Sequence, residues 1–273
     1  FQRIALLALL GPGLALRLYG LEAQILWHDA IYTKFFVSGH RASEWKAALF
    51  TGKIMDVSEV LAFQTHSASK GVLATLQGLA HDEPQHPPLY YALLRVWIGL
   101  FGDEPGAIRM LSVLSGVCAI AAMYWFTREL FCNRAARADH RRDAAAPAHL
   151  SPAGVSSAPI FAAPVLAAAL LTTSPLFVRY AQEAREYALW SALVLASCAA
   201  LLHAIRYPAQ ARWWILFSTI TAVSLYTSLS TVAVMGAQAL FIAVRERGRV
   251  THTSLTAAGA LLAGLLCFLP WMV

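Results

Sequence analysis

The stretch YALWSALVLASCAALLHAI, residues Tyr187–Ile205, runs for nineteen positions without an Asp, Glu, Lys or Arg. Wound as an α-helix it would rise about 28 Å, close to the ~30 Å hydrocarbon core of a bilayer. Comparable apolar runs lie at Ile4–Tyr19, Ala107–Phe131, Pro159–Val178, Trp213–Tyr226, Leu229–Val244 and Ser254–Trp271. Composition points the same way: of 273 residues, 58% are hydrophobic and 13% charged, with a mean hydropathy of +0.56. A soluble domain carries about twice that charge, so soluble enzyme folds are excluded. The expected class is all-α, a multi-pass transmembrane helical bundle of about seven spans.

The net charge of +6 does not indicate nucleic acid, because the arginines stand in short clusters between apolar runs, where charge sets membrane orientation. Arg134, Arg137, Arg141 and Arg142 fall in one loop, Arg206 and Arg212 in the next alternate one, and Arg245, Arg247 and Arg249 in a third. The positive-inside rule makes these loops cytoplasmic, the first covering residues 132–158 with a flexible Ala-, Pro- and Ser-rich part at 144–157. By alternation the long polar segment 20–106, the turn Arg179–Glu186 and the turn at Tyr226 and Thr227 face outward. Within the long segment, Ser58–Phe63 and Gly71–Leu79 read as amphipathic pieces. Leu89–Phe101 is apolar but would reach only about 20 Å and contains Arg95, which makes it an interfacial or re-entrant helix. Arg17 is expected near the membrane interface at the end of the first span. The chain stops inside an apolar run, as a fragment lacking a C-terminal part would. Cys118, Cys132, Cys198 and Cys267 show no paired spacing, so neither a zinc site nor a disulfide framework is expected.

Ionisable groups beside a membrane are costly unless used, which singles out three outward segments. Asp29, just after the first span, is either a helix cap or interfacial acid, or a functional carboxylate. In Asp82-Glu83-Pro84-Gln85-His86-Pro87-Pro88 the prolines hold His86 extended and launch the following helix; Asp82, Glu83 and His86 would then face one surface, or simply form a helix start. Arg179-Tyr180-Ala181-Gln182-Glu183-Ala184-Arg185-Glu186-Tyr187 packs four charges between apolar runs, as a solvated turn or as a site. Three polar motifs on one side of the membrane favour an external active site.

At these residues the sequence resembles the GT-C-fold membrane glycosyltransferases of the family that includes protein O-mannosyltransferases and bacterial aminoarabinose transferases (glycosyltransferase family 39-like). The resemblance is carried by His86-Pro87-Pro88-Leu89-Tyr90-Tyr91, Phe101-Gly102-Asp103 with Arg109, Ser174-Pro175 and Ala181–Tyr187, and runs from Asp29 to at least Thr227. It implies inverting transfer of a sugar from a polyprenyl-phosphate donor to a lipid, glycan or protein acceptor on the outer face of the cytoplasmic membrane. Asp29 matches the family's catalytic base, and Asp82, Glu83, His86, Gln182, Glu183, Arg185 and Tyr187 would bind substrate. No cofactor is certain and a divalent metal is left open; Asp29 is followed by Ala30, where that family usually carries Glu. A transporter or flippase of lipid-linked sugars, or a binding-only relative, is the competing reading; no internal repeat of the transporter kind is evident.

Overall fold

The computed structural model describes residues 2–23, 25–67, 69–143 and 158–272. Among them the structure is entirely helical, with no strand, in thirteen helices: α1 Gln2–Leu18, α2 His28–Val37, α3 Ala42–Leu49, α4 Val57–Ala62, α5 Val72–Asp82, α6 Leu89–Phe101, α7 Pro105–Asp143, α8 Ala158–Thr173, α9 Pro175–Ala181, α10 Tyr187–Arg206, α11 Ala211–Leu225, α12 Thr231–Arg245 and α13 His252–Met272.

Among the described residues three helical stretches are long and apolar enough to cross a membrane: Pro105–Phe131, Tyr187–Arg206 and His252–Met272. The expected span Pro159–Val178 is broken: α8 and α9 meet at a bend of 61° and count together as a fourth candidate. The cause is Pro175, which has no N–H to give and pushes Ser174 out of the helical region, to ψ 117. The apolar helices α1, α6 and α12 are shorter; α11 and α12, at 15 residues, rise only about 22 Å. The apolar part of α7 ends at Phe131, and the helix itself runs on to Asp143 through Ala and Arg, strong helix formers; 144–157, read as a connector, lie outside the described residues.

The bundle is organised on α7 and α10, which pack along each other; α1 and α8 cover one side of α7, and α11 and α13 extend the assembly from α10. Close approach depends on small residues. Ala199, Ala200 and Ala204 of α10 are fully buried, and a methyl at Gly116 of α7 would come within 2.7 Å of Ala181 Cβ and 2.9 Å of Arg17 Nε. The short helices α2, α5 and α6 pack together beside the start of α7 around Phe36, Leu79, Tyr90, Tyr91, Leu94 and Ile108. Gly102, at φ 86, ends α6 in a conformation that other residues rarely adopt, and Pro105 starts α7.

Arg17 is not at an open interface but enclosed, 1% exposed. Its Nη atoms donate to Gly13 O, Thr172 O and Leu171 O at 3.0, 3.3 and 3.4 Å, so the cation closes the carbonyls that the α8–α9 break leaves open. Farther along α7, Glu129 is fully buried, with His203 Nδ1 at 3.2 Å and Arg206 Nη1 at 3.0 Å. His203 thus joins an ionic cluster between α7 and α10.

Candidate functional site

Asp29 lies in the first turn of α2 and Thr33 one turn on, so both project from one face of the helix. Tyr91, on the first turn of α6, and the turn between α9 and α10 meet that face. The turn is tight: the Arg185 N–H donates to Glu183 O at 2.8 Å, folding the chain about Ala184. The Ala184 methyl is fully buried against Ala30, Tyr90 and Tyr91, while Glu183 and Arg185 on either side line a cleft of about 350 Å³. Asp29, Arg179, Tyr180 and Tyr187 complete its polar wall. The turn is therefore not a solvated one, for Gln182 through Arg185 are all buried.

Hydrogen bonds tie these groups together. Tyr187 donates its hydroxyl to Asp29 Oδ2 at 3.1 Å. Arg185 Nη1 donates to Tyr91 OH at 2.9 Å and to Thr33 Oγ1 at 3.4 Å, and Thr33 donates to Asp29 O at 3.0 Å. Glu186 Oε2 stands 3.5 Å from Arg185 Nε, and Glu183 Oε1 stands 3.1 Å from Arg179 Nη2. Behind the turn, Ser112 Oγ, itself bonded to Tyr90 OH at 2.7 Å, donates to Arg185 O at 3.1 Å. Burial alone would lower the Arg185 pKa, but the net shift is upward, with the Glu186 carboxylate beside it favouring the charged form, so Arg185 is a permanent cation. Burial likewise pushes the Tyr91 phenol up, keeping its proton.

The remaining expected site residues are placed elsewhere. Gln182 turns away from the cleft, its amide donating to Arg17 O and Tyr19 O at 3.1 and 2.9 Å, where it closes the end of α1. Asp82, Glu83 and His86 do not line the cleft; α5 ends at Asp82 and Glu83 leaves the helical conformation at ψ 61. Asp82 Oδ2 accepts the Ala42 N–H at 2.7 Å and pins the start of α3; Glu83 accepts from the Gln85 amide. His86 sets its ring edge-on to Tyr91, with centroids 6.2 Å apart, and so touches the Arg185 network from behind. Asp103, outside the cleft, accepts the His66 N–H at 2.9 Å, and Arg109 donates to Leu21 O and Ile25 O; both organise the short helices. Thr33 and Tyr91 are the additions. The first was legible as the i+4 neighbour of Asp29; the second was not, since any of several faces of α6 could have turned inward.

Among the described residues no three His, Cys, Asp or Glu side chains converge as metal ligands, and position 30 is enclosed with no exposed surface. Among the described residues a divalent metal thus lacks the donor set that a second acid there would begin.

In comparisons with known proteins, the family model described as the protein O-mannosyl-transferase TMEM260 N-terminal domain matches residues 78–251. That match includes Tyr91, the turn 182–186 and Tyr187, and begins after Asp29. No curated protein and no solved structure matches the chain.

Proposed function

The chain belongs to the family of the protein O-mannosyl-transferase TMEM260 N-terminal domain, and from that premise we propose that it is a membrane glycosyltransferase. It moves a sugar, mannose in the first instance, from a polyprenyl-phosphate donor to an acceptor hydroxyl on the outer face of the cytoplasmic membrane, with inversion at the anomeric carbon. The bundle is GT-C-like, with about seven membrane passages, and segment 20–106 is external.

The observation that carries this reading is the meeting of a carboxylate and a buried cation in one cleft: Asp29 and Arg185, with Thr33 bonded to the Arg185 guanidinium and to the main-chain carbonyl of Asp29. Cleavage of a glycosidic bond needs two carboxyl groups because an alkoxide must be protonated as it leaves. A phosphate leaves unprotonated, so one base is enough. The acceptor oxygen attacks the anomeric carbon from the side opposite the phosphate and forms the new C–O bond. Asp29 takes the acceptor's proton, and the bond to the phosphate oxygen breaks with its electron pair going to phosphate. The growing charge there is met by Arg185, with Arg179 at the cleft mouth. Tyr187 fixes the Asp29 carboxylate through Oδ2, and Glu186 and Tyr91 hold Arg185.

Full-length protein in liposomes, supplied with labelled polyprenyl-phosphate mannose and a hydroxyl-bearing acceptor peptide, tests the proposal. Label covalently joined to the peptide supports it. Label carried across the bilayer without transfer would assign a transporter, and bound but unreacted label a binding-only relative.

A further inference from the structure

A cavity of about 760 Å³, sharing no wall residue with the polar cleft, opens between the end of α1, the end of α6 and the start of α7. Leu18, Leu21, Trp97, Phe101 and Met110 make most of its surface apolar. It stands at a membrane boundary, because the apolar run of α1 stops at Leu18 and the candidate span of α7 starts at Pro105. Glu22 is the one charged residue of its wall. The Glu22 carboxylate takes the room that a side chain at position 106 would fill: a methyl on Gly106 would come within 2.7 Å of Glu22 Oε1. Among the described residues that carboxylate has no hydrogen bond and no ion pair. Opposite partners for a cation are also present, since Trp97 and Phe101 stand one helical turn apart with ring centroids at 4.3 Å. The Trp97 N–H is already given to Ala107 O at 2.9 Å, which leaves the wall its electron-rich ring faces. Apolar walls, aromatic faces and an unpaired carboxylate at headgroup depth suit an amphiphile whose polar end is a cation. A sugar or an anionic headgroup does not fit that description.

We propose that this cavity holds an ethanolamine phospholipid of the surrounding leaflet, its ammonium donating to Glu22 and resting against the Trp97 and Phe101 rings. The phosphate, one ethylene link back, stays hydrated at the open mouth, and the acyl chains follow the apolar wall into the bilayer. A choline headgroup has no N–H for the carboxylate, and a phosphoglycerol headgroup brings like charge to it. The inner wall of the cavity, residues 20–23, belongs to the strap between α1 and α2. Arg109 holds that strap through Leu21 O and Ile25 O at 2.6 and 3.1 Å, and Gln182 through Tyr19 O at 2.9 Å. A lipid seated against it steadies the segment from which α2 and Asp29 follow. The inference is independent of the donor proposed above.

Native mass spectrometry of the full chain, released from nanodiscs of mixed ethanolamine, choline and glycerol phospholipids with identical acyl chains, tests this with no sugar donor present. One ethanolamine lipid should be retained with a preference of about fivefold over the glycerol lipid, choline falling between, as a half-exposed ion pair and a cation–π contact allow. Glu22→Gln should bring that preference below about twofold, whereas Glu59→Gln, which removes an exposed acid on α4, should leave it intact. Hydrogen exchange supplies the second readout: residues 18–23 should exchange more slowly in ethanolamine than in glycerol lipid, and Glu22→Gln should erase the difference. Retention without headgroup preference, choline lipid held as well as ethanolamine, selectivity unchanged in Glu22→Gln, or lipid-dependent protection that leaves out residues 18–23 would overturn the proposal.

Discussion

The hydroxyl of Tyr187, the first residue of α10, and Oδ2 of Asp29, in the first turn of α2, meet at 3.1 Å although 158 positions separate them in the chain. The bond fixes the carboxylate through Oδ2, while Oδ1 stands 3.6 Å from His28 Nδ1. In the proposed transfer, a carboxylate restrained through one oxygen keeps the other for the acceptor. Asp29→Asn should lower turnover about 10²- to 10⁴-fold with donor binding nearly intact. Tyr187→Phe, which keeps the ring and loses the hydroxyl, should cost less, about tenfold. Single-turnover transfer measurements check both; near-normal transfer by Asp29→Asn would remove it from the mechanism.

Arg185→Lys should lower turnover more than donor affinity. A lysine has one nitrogen in place of the guanidinium's three, so it cannot keep the Nη1 bonds to Tyr91 and Thr33 and also present a second nitrogen to phosphate, and only interactions that strengthen in the transition state speed the chemical step. Steady-state kinetics decide it: unchanged turnover and donor Michaelis constant would leave the turn a structural role alone.

Ala30→Glu, which restores the acid usual in the resembled family, should destabilise the protein by several kcal/mol rather than raise activity. The position has no exposed surface and packs among Tyr90, Tyr91 and Ala184, so the new charge would be buried without a partner. Thermal unfolding in detergent measures the loss; a stable, more active variant would contradict it.

Acid should loosen the short helices through Asp103. Burial tends to raise its pKa, but the His66 N–H and the charge of Lys34 outweigh that and depress it. A depressed carboxylate contributes stability above its unfolded value of about 3.9 and loses it as pH falls through the lower folded value. Asp103→Asn should therefore speed hydrogen exchange in residues 63–67 at pH 7 and make little difference near pH 2.

The orientation proposed from the arginine clusters is open to cysteine labelling in intact cells. After replacement of the native cysteines, an impermeant reagent should reach a cysteine at exposed Lys53 and not one at exposed Ala209. The reverse pattern would invert the assignment.

How much of this was legible in sequence depended on whether local chemistry decides the matter. Apolar length placed α7, α10 and α13, and Pro175 is itself the reason α8 and α9 part, though the run around it looks continuous. Asp29, Glu183 and Arg185 could be singled out because charge next to apolar runs is conspicuous, and Tyr187 through the family resemblance. Gln182 and Asp82 looked similar, yet both close helix ends, and only the tertiary fold determines whether a polar side chain meets an open backbone group or a cleft. Glu129 lies inside an apolar run and is a signal in its own right; its partners come from α10 and could not be read from spacing.

Loops generally tolerate insertions, but the turn at Ala184 should not. Its side chains alternate cleft, core, cleft through Glu183, Ala184 and Arg185, within a span closed by a single backbone hydrogen bond. One residue more or fewer would turn a charge into the apolar cluster and a methyl toward the substrate, changing core and chemistry at a stroke. Point substitutions can retune this turn, whereas a change in its length would have to be matched on α2 and α6 at the same time.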